Sequence, residues 1–152
     1  IDLKPNFADA HSNLGNILKG LGKSQEAELS IRKAIELNPD LAMAHCNLGL
    51  LLSDLGKLQE AELSIRKAIK LNPTFAEAHY NLGNILKDLG NIDEALLCYE
   101  SAINIDKMLY HALEGIGRIL LTKGNHSDGI LKLREAIGSI GFNPQKPSII
   151  IY

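Results

Sequence analysis

Three asparagines, Asn13, Asn47 and Asn81, recur at intervals of 34 residues in the strings AHSNLG, AHCNLG and AHYNLG. Asn is a mediocre helix former because its side chain competes for backbone hydrogen bonds. Each copy nevertheless lies inside an apolar, helix-like run. A side-chain amide carries two donors and one acceptor, so it can pair with both the C=O and the N–H of an extended peptide. A row of such amides would grip a peptide backbone without reading much of its sequence. Each net hydrogen bond contributes only about 0.5–1.5 kcal/mol. Three rungs therefore predict weak binding, with a Kd on the order of micromolar. The competing use of the same amides is structural: each could bond to the next repeat and set the pitch of a stack.

Other reactive side chains lack the company that chemistry needs. His11, His45 and His79 also recur at 34-residue intervals. Stacked repeats hold equivalent residues about 10 Å apart, too far for one metal with ligands at about 2 Å, so these histidines are expected to pack. His111 and His126 read as surface or turn residues. Glu26, Glu28, Glu60 and Glu62 alternate with packing residues and read as a solvated outer face. Cys46 is expected to face the groove, without a His or Asp partner to activate it. Cys46 and Cys98 form no CxxC, which argues against a disulfide framework or a thiolate zinc site. No phosphate loop, G-x-S-x-G or HExxH occurs. No catalytic residue, metal or cofactor is expected.

The elements that carry these residues come in pairs. In the first unit Ala10, Leu14, Ile17, Leu18 and Leu21 follow steps of three and four, one apolar face of a helix. Ala44, Leu48, Leu51, Leu52 and Leu55 repeat it, as do Ala78, Leu82, Ile85, Leu86 and Leu89. Gly22, Gly56, Gly90 and Gly124 then end each first helix. A second helix carries Ala27, Ile31, Ala34, Ile35 and Leu37 and stops at Asn38-Pro39, since Pro disfavours helical geometry in the residue before it. Residues 25–35 and 59–69 are the same string, QEAELSIRKAI. One hairpin cannot bury both helix faces, so the units must stack.

Leu14, Gly15, Leu18, Ala27, Ile31, Ala34 and Pro39 have spacings that resemble the tetratricopeptide repeat. The resemblance implies an all-α, right-handed superhelical solenoid of antiparallel helix pairs. First helices would line a concave groove and second helices would form the convex side. The divisions are 1–7, the end of a preceding repeat; 8–41, 42–75 and 76–109, three repeats; 110–143, a degenerate fourth; and 144–152, a tail. In the fourth unit Gly115 replaces the Asn, Gly129 the small Ala, and Lys107 the preceding Pro. Pro144 and Pro147 break the period, and Ile149–Tyr152 reads as a short strand.

On the groove side the resemblance places Asn13, Asn47 and Asn81 as a ladder, with Asn16, Asn84, Tyr80, Lys87 and Arg118 beside it. An acidic-tail clamp would need a basic residue at Ser12, Cys46, Tyr80 or Glu114, and none is basic. FADAHSNLG and NPTFAEAHYNLGNILKDLGN are also similar to repeats of O-linked N-acetylglucosamine transferases, where an Asn ladder holds protein substrates by their backbone. A net charge of -2 gives no electrostatic case for nucleic acid or an anionic membrane. No apolar run approaches the roughly 20 residues of a bilayer span. The expected function is a protein- or peptide-binding scaffold, not an enzyme, in a reducing, cytoplasmic setting. The alternatives are a recognition arm of a larger glycosyltransferase or oxygenase, and self-association through repeat ends or the tail.

Overall fold

The computed structural model describes residues 4–141, with side chains from Phe7 to Ile137. The described residues form eight helices: α1 Lys4–Gly20, α2 Ser24–Leu37, α3 Ala42–Asp54, α4 Leu58–Leu71, α5 Ala76–Asp88, α6 Ile92–Ile105, α7 Tyr110–Thr122 and α8 His126–Gly141. They contain no strand. The strand expected at Ile149–Tyr152 lies outside them.

The first helix of each hairpin ends as its glycine requires. Gly22, Gly56, Gly90 and Gly124 have φ of 75°, 74°, 85° and 80°, the left-handed region that costs an L side chain about 1–2 kcal/mol. The residue after each glycine closes a six-to-one bond, as Lys23 N–H does to Leu18 O at 2.9 Å. Second helices end in an Asx turn. The Asn38 carboxamide oxygen accepts from Asp40 N–H at 3.1 Å, and Asn72 accepts from Thr74 N–H at 3.2 Å. In the third unit Asp106 accepts from Met108 N–H at 2.8 Å, so the turn survives Lys107 in the place of Pro. At the other end α1 starts at Lys4, whereas α3 and α5 start at Ala42 and Ala76, the counterparts of Ala8. Lys4–Phe7 therefore extend a helix instead of forming an inter-repeat turn. Pro5 fits there because the first turn has no use for its missing N–H.

Each hairpin closes where a glycine meets a bulky residue. A Cβ at Gly15 would lie 2.4 Å from Ile31, at Gly49 2.5 Å from Ile65, at Gly83 2.6 Å from Tyr99 and at Gly117 2.8 Å from Leu133. Ala27, Ala61 and Ala95 are fully buried on the facing helices. Gly129, where the earlier repeats have these alanines, is also compensated. Leu121 fills the space its Cβ would need, at 2.8 Å.

The helices of each hairpin pack on one another, and α2, α4 and α6 each pass their far side to α3, α5 and α7. First helices also touch one another, α1 with α3 and α3 with α5. That inner row forms the concave layer of a tetratricopeptide-like superhelix, and the second helices fan out behind it. Leu48 is 6% exposed between hairpins, whereas its counterpart Leu14 on α1 is 46% exposed.

Candidate functional site: the concave groove

The three recurring asparagines are not placed alike on this inner face. Asn47 is 5% exposed, and its amide donates to the Ser12 hydroxyl at 3.0 Å. The Asn81 amide points the same way, donating weakly to Cys46 Sγ at 3.8 Å, and Asn81 remains half-buried. Each rung thus ties α3 to α1, or α5 to α3, and the direction is to the preceding repeat, not the next. Asn47 is a seam residue more than a groove-lining one. Asn13, on α1, is exposed. Cys46 does not face the groove as expected. It is buried in the seam, and burial pushes its thiol up to about 11.

The histidines also serve the seams. His45 Nε2 lies 2.8 Å from Pro39 O, and His79 Nε2 lies 3.0 Å from Pro73 O, so each reaches back to the turn that precedes its own helix. Among the described residues no group of three or more His, Cys, Asp or Glu could hold a metal ion. No helix there is long and apolar enough to cross a membrane.

The two groove lysines differ in their ion pairs. Lys19 bridges to Asp54 of the next hairpin at 2.9 Å. Lys87, its counterpart two repeats on, has Thr122 where that aspartate would stand, and among the described residues its ion pair is with its neighbour Asp88, at 3.8 Å. Lys87 consequently keeps hydrogen-bonding capacity that Lys19 has spent. Exposed pairs of this kind stabilise little, roughly 0–1 kcal/mol.

Between the third and fourth hairpins the groove deepens into a recess of about 190 Å³, lined by Tyr80, Asn84, Lys87, Tyr99, His111, Glu114, Gly115 and Arg118. The structure thereby brings together four residues expected from the sequence, Tyr80, Asn84, Lys87 and Arg118. Asn16 stands apart, exposed on α1. Arg118 makes a forked contact to one Glu114 carboxylate oxygen, at 3.0 Å from Nε and 2.7 Å from Nη2. The Tyr80 ring lies 5.8 Å from Tyr99 and 6.5 Å from His111, both tilted, within the range of favourable aromatic pairs.

Tyr99 is the residue that sequence reasoning missed. It occupies the second-helix position held by Ile31 and Ile65. Its ring is fully buried between Gly83 and Gly115, and its hydroxyl donates to Asn84 Oδ1 at 2.7 Å. Burial raises its phenol pKa. A Cβ at Gly115 would sit 3.0 Å from the ring, so a side chain there would need Tyr99 to give way. The available signal was the coincidence of the two departures, Ile to Tyr and Asn to Gly.

Past the groove, α7 and α8 leave an apolar cleft of about 560 Å³ whose wall includes Leu121, Leu133, Ala136 and Ile137. This is the face that α2, α4 and α6 hairpins give to the helix that follows them.

Stacked hairpins with a polar inner face define an all-α, helical-repeat scaffold for protein interactions. The tetratricopeptide repeat pattern matches residues 8–41, 42–75 and 76–108, and the chain belongs to the tetratricopeptide repeat family. Two solved structures of MamA are similar to it. One is 27% identical with a TM-score of 0.81, over 90% of this chain and 80% of that one. The other is 25% identical with a TM-score of 0.80, over 97% and 81%. Thermobaculum terrenum O-GlcNAc transferase shares the fold at 24% identity and a TM-score of 0.75, over 79% of this chain but 23% of the transferase. No curated protein matches in sequence.

Proposed function

We propose that the concave face binds an extended protein segment. The observation that carries this reading is the recess between the third and fourth hairpins, where Tyr80, Asn84, Lys87 and Arg118 meet. Asn13, Asn16 and Asn81 supply amides along the approach to it. Asn47 contributes what its bond to Ser12 leaves over. The backbone of the segment runs along the amides, and one of its side chains enters the recess against Tyr80 and His111. MamA and O-GlcNAc transferase repeats support the shape of such a groove; the choice of ligand rests on the side chains of this chain.

The test is selection of peptides from a random-sequence display library on the immobilised chain, followed by fluorescence anisotropy with the selected peptides. Asn16→Ala, Asn84→Ala and Lys87→Ala each lose a hydrogen bond worth about 0.5–1.5 kcal/mol, so each should weaken binding about 2- to 12-fold. Glu26→Ala, on the outer side of α2, should leave it unchanged. Unchanged affinity in all three groove variants would refute the reading.

A further inference from the structure

One large apolar residue stands on the outer side of every second helix: Leu29, Leu63, Leu97 and Leu131, each more than half exposed. The core does not use them, and Leu63 is 70% exposed. On α4 the residue three before it is Glu60 and the residue four after it is Lys67, both exposed. Steps of three and four place all three side chains on one line of the helix. Neither Glu60 nor Lys67 forms an ion pair among the described residues. Arg66, on the same helix, is engaged by Glu62 and Glu94. On α2 the same line reads Glu26, Leu29, Lys33, and on α6 it reads Glu94, Leu97, Ser101.

We infer that this outer face pairs with its own counterpart on a second copy of the chain, antiparallel, about a two-fold axis at Leu63. The signs of the charges select that geometry. Parallel superposition would oppose Glu60 to Glu60 and Lys67 to Lys67. Antiparallel pairing opposes Glu60 to Lys67 of the second copy, twice, with Leu63 against Leu63 at the centre. With the axis on α4, α2 lies against α6 of the second copy. Leu29 then meets Leu97, and Lys33 and Glu94, each already ion-paired within its own copy to Glu36 and Arg66, face each other with opposite sign. Moving the axis to α6 would oppose Glu60 to Glu135 and Lys67 to Asp128, so that repulsion offsets attraction. The cleft of about 400 Å³ beside Leu97, walled also by Ile69, Leu82 and Cys98, gives the incoming Leu29 room. Two convex surfaces touch over a limited patch, toward the small end of protein interfaces, under about 1,200 Å². The dimer is therefore weak and concentration-dependent, and it leaves the concave groove open.

Sedimentation equilibrium on the full chain across a wide concentration range tests this. The mass should rise from 16.6 kDa toward twice that value. Leu63→Glu should remain monomeric throughout with unchanged helical circular dichroism, since the side chain is not in the core. Glu60→Lys alone and Lys67→Glu alone should each weaken association at least about tenfold, the effect of losing close opposed charges. The double variant Glu60→Lys, Lys67→Glu should recover it, because the swapped charges again meet opposite signs. A wild-type chain monomeric at every concentration would overturn the inference. So would a dimer indifferent to Leu63→Glu, or a double variant no tighter than the single ones.

Discussion

The Asn47 amide donates to the Ser12 hydroxyl across the boundary between the first and second hairpins, at 3.0 Å and out of contact with bulk water. A polar bond in that position ties the angle between hairpins to a defined geometry, which apolar packing alone does not do. Replacing Asn47 with Ala leaves Ser12 buried without its donor, a loss of about 1–3 kcal/mol. Asn13→Ala, on an exposed surface, should change stability by less than about 0.5 kcal/mol. Urea unfolding of the two variants checks the contrast. Equal effects would show that the ladder has one role along its whole length.

Tyr99 and Gly115 are predicted to be energetically coupled. Gly115→Asn, which would complete the ladder, forces a side chain against a ring already held by Gly83 on its other side. Overpacking of this kind costs about 1–3 kcal/mol. Pairing it with Tyr99→Ile, the residue type of the earlier repeats, should recover more than the sum of the single variants by at least about 0.5 kcal/mol. A double-mutant cycle on thermal or urea stability measures that term. Strict additivity would contradict the steric account.

Much of this organisation was legible beforehand. The 34-residue period, the glycine and Asn-Pro stops and the apolar steps of three and four are local features, and helices with short turns follow from them. The side to which a polar residue turns is decided by the neighbouring hairpin. Asn47 and Asn81 look alike in sequence, yet one is buried with a 3.0 Å bond to Ser12 and the other half-exposed with a 3.8 Å contact to Cys46. The same holds for Cys46, which its sequence position directs to the groove and its neighbours bury. The recess is not legible in the sequence because five of its eight wall residues are Tyr99, on a second helix, and His111, Glu114, Gly115 and Arg118 of the irregular fourth unit. Period-based reading discounts both.

The two thiols should be slow to react in the folded chain. Burial is the first cause of the rise to about 11 at both Cys46 and Cys98, so little thiolate exists at neutral pH. Thiol-disulfide reagents at pH 7 should label neither until the chain unfolds. The linkage has a definite sign. An unfolded thiol ionises near pH 9 while the folded one holds its proton to about 11. The stabilisation from keeping the thiols neutral is therefore complete below about pH 9 and declines as pH rises toward 11. Urea midpoints measured from pH 8 to 11 should fall, and the fall should be shallower in Cys98→Ala. Rapid labelling of native chain at pH 7 would contradict the burial argument.

Gly90→Ala tests the turn chemistry. With φ at 85° the substitution should cost about 1 kcal/mol or more, lowering the melting temperature without altering groove affinity. An unchanged melt would mean that the turn can adopt another conformation.

The concave face as the binding surface is tested most directly by amide and side-chain NMR shift mapping of the labelled chain with a display-selected peptide. Perturbations should concentrate on Asn13, Asn16, Asn81, Asn84, Tyr80, Lys87 and Arg118, with the outer sides of α2, α4 and α6 unchanged. Perturbations confined to those outer sides, with the groove residues unmoved, would contradict the account.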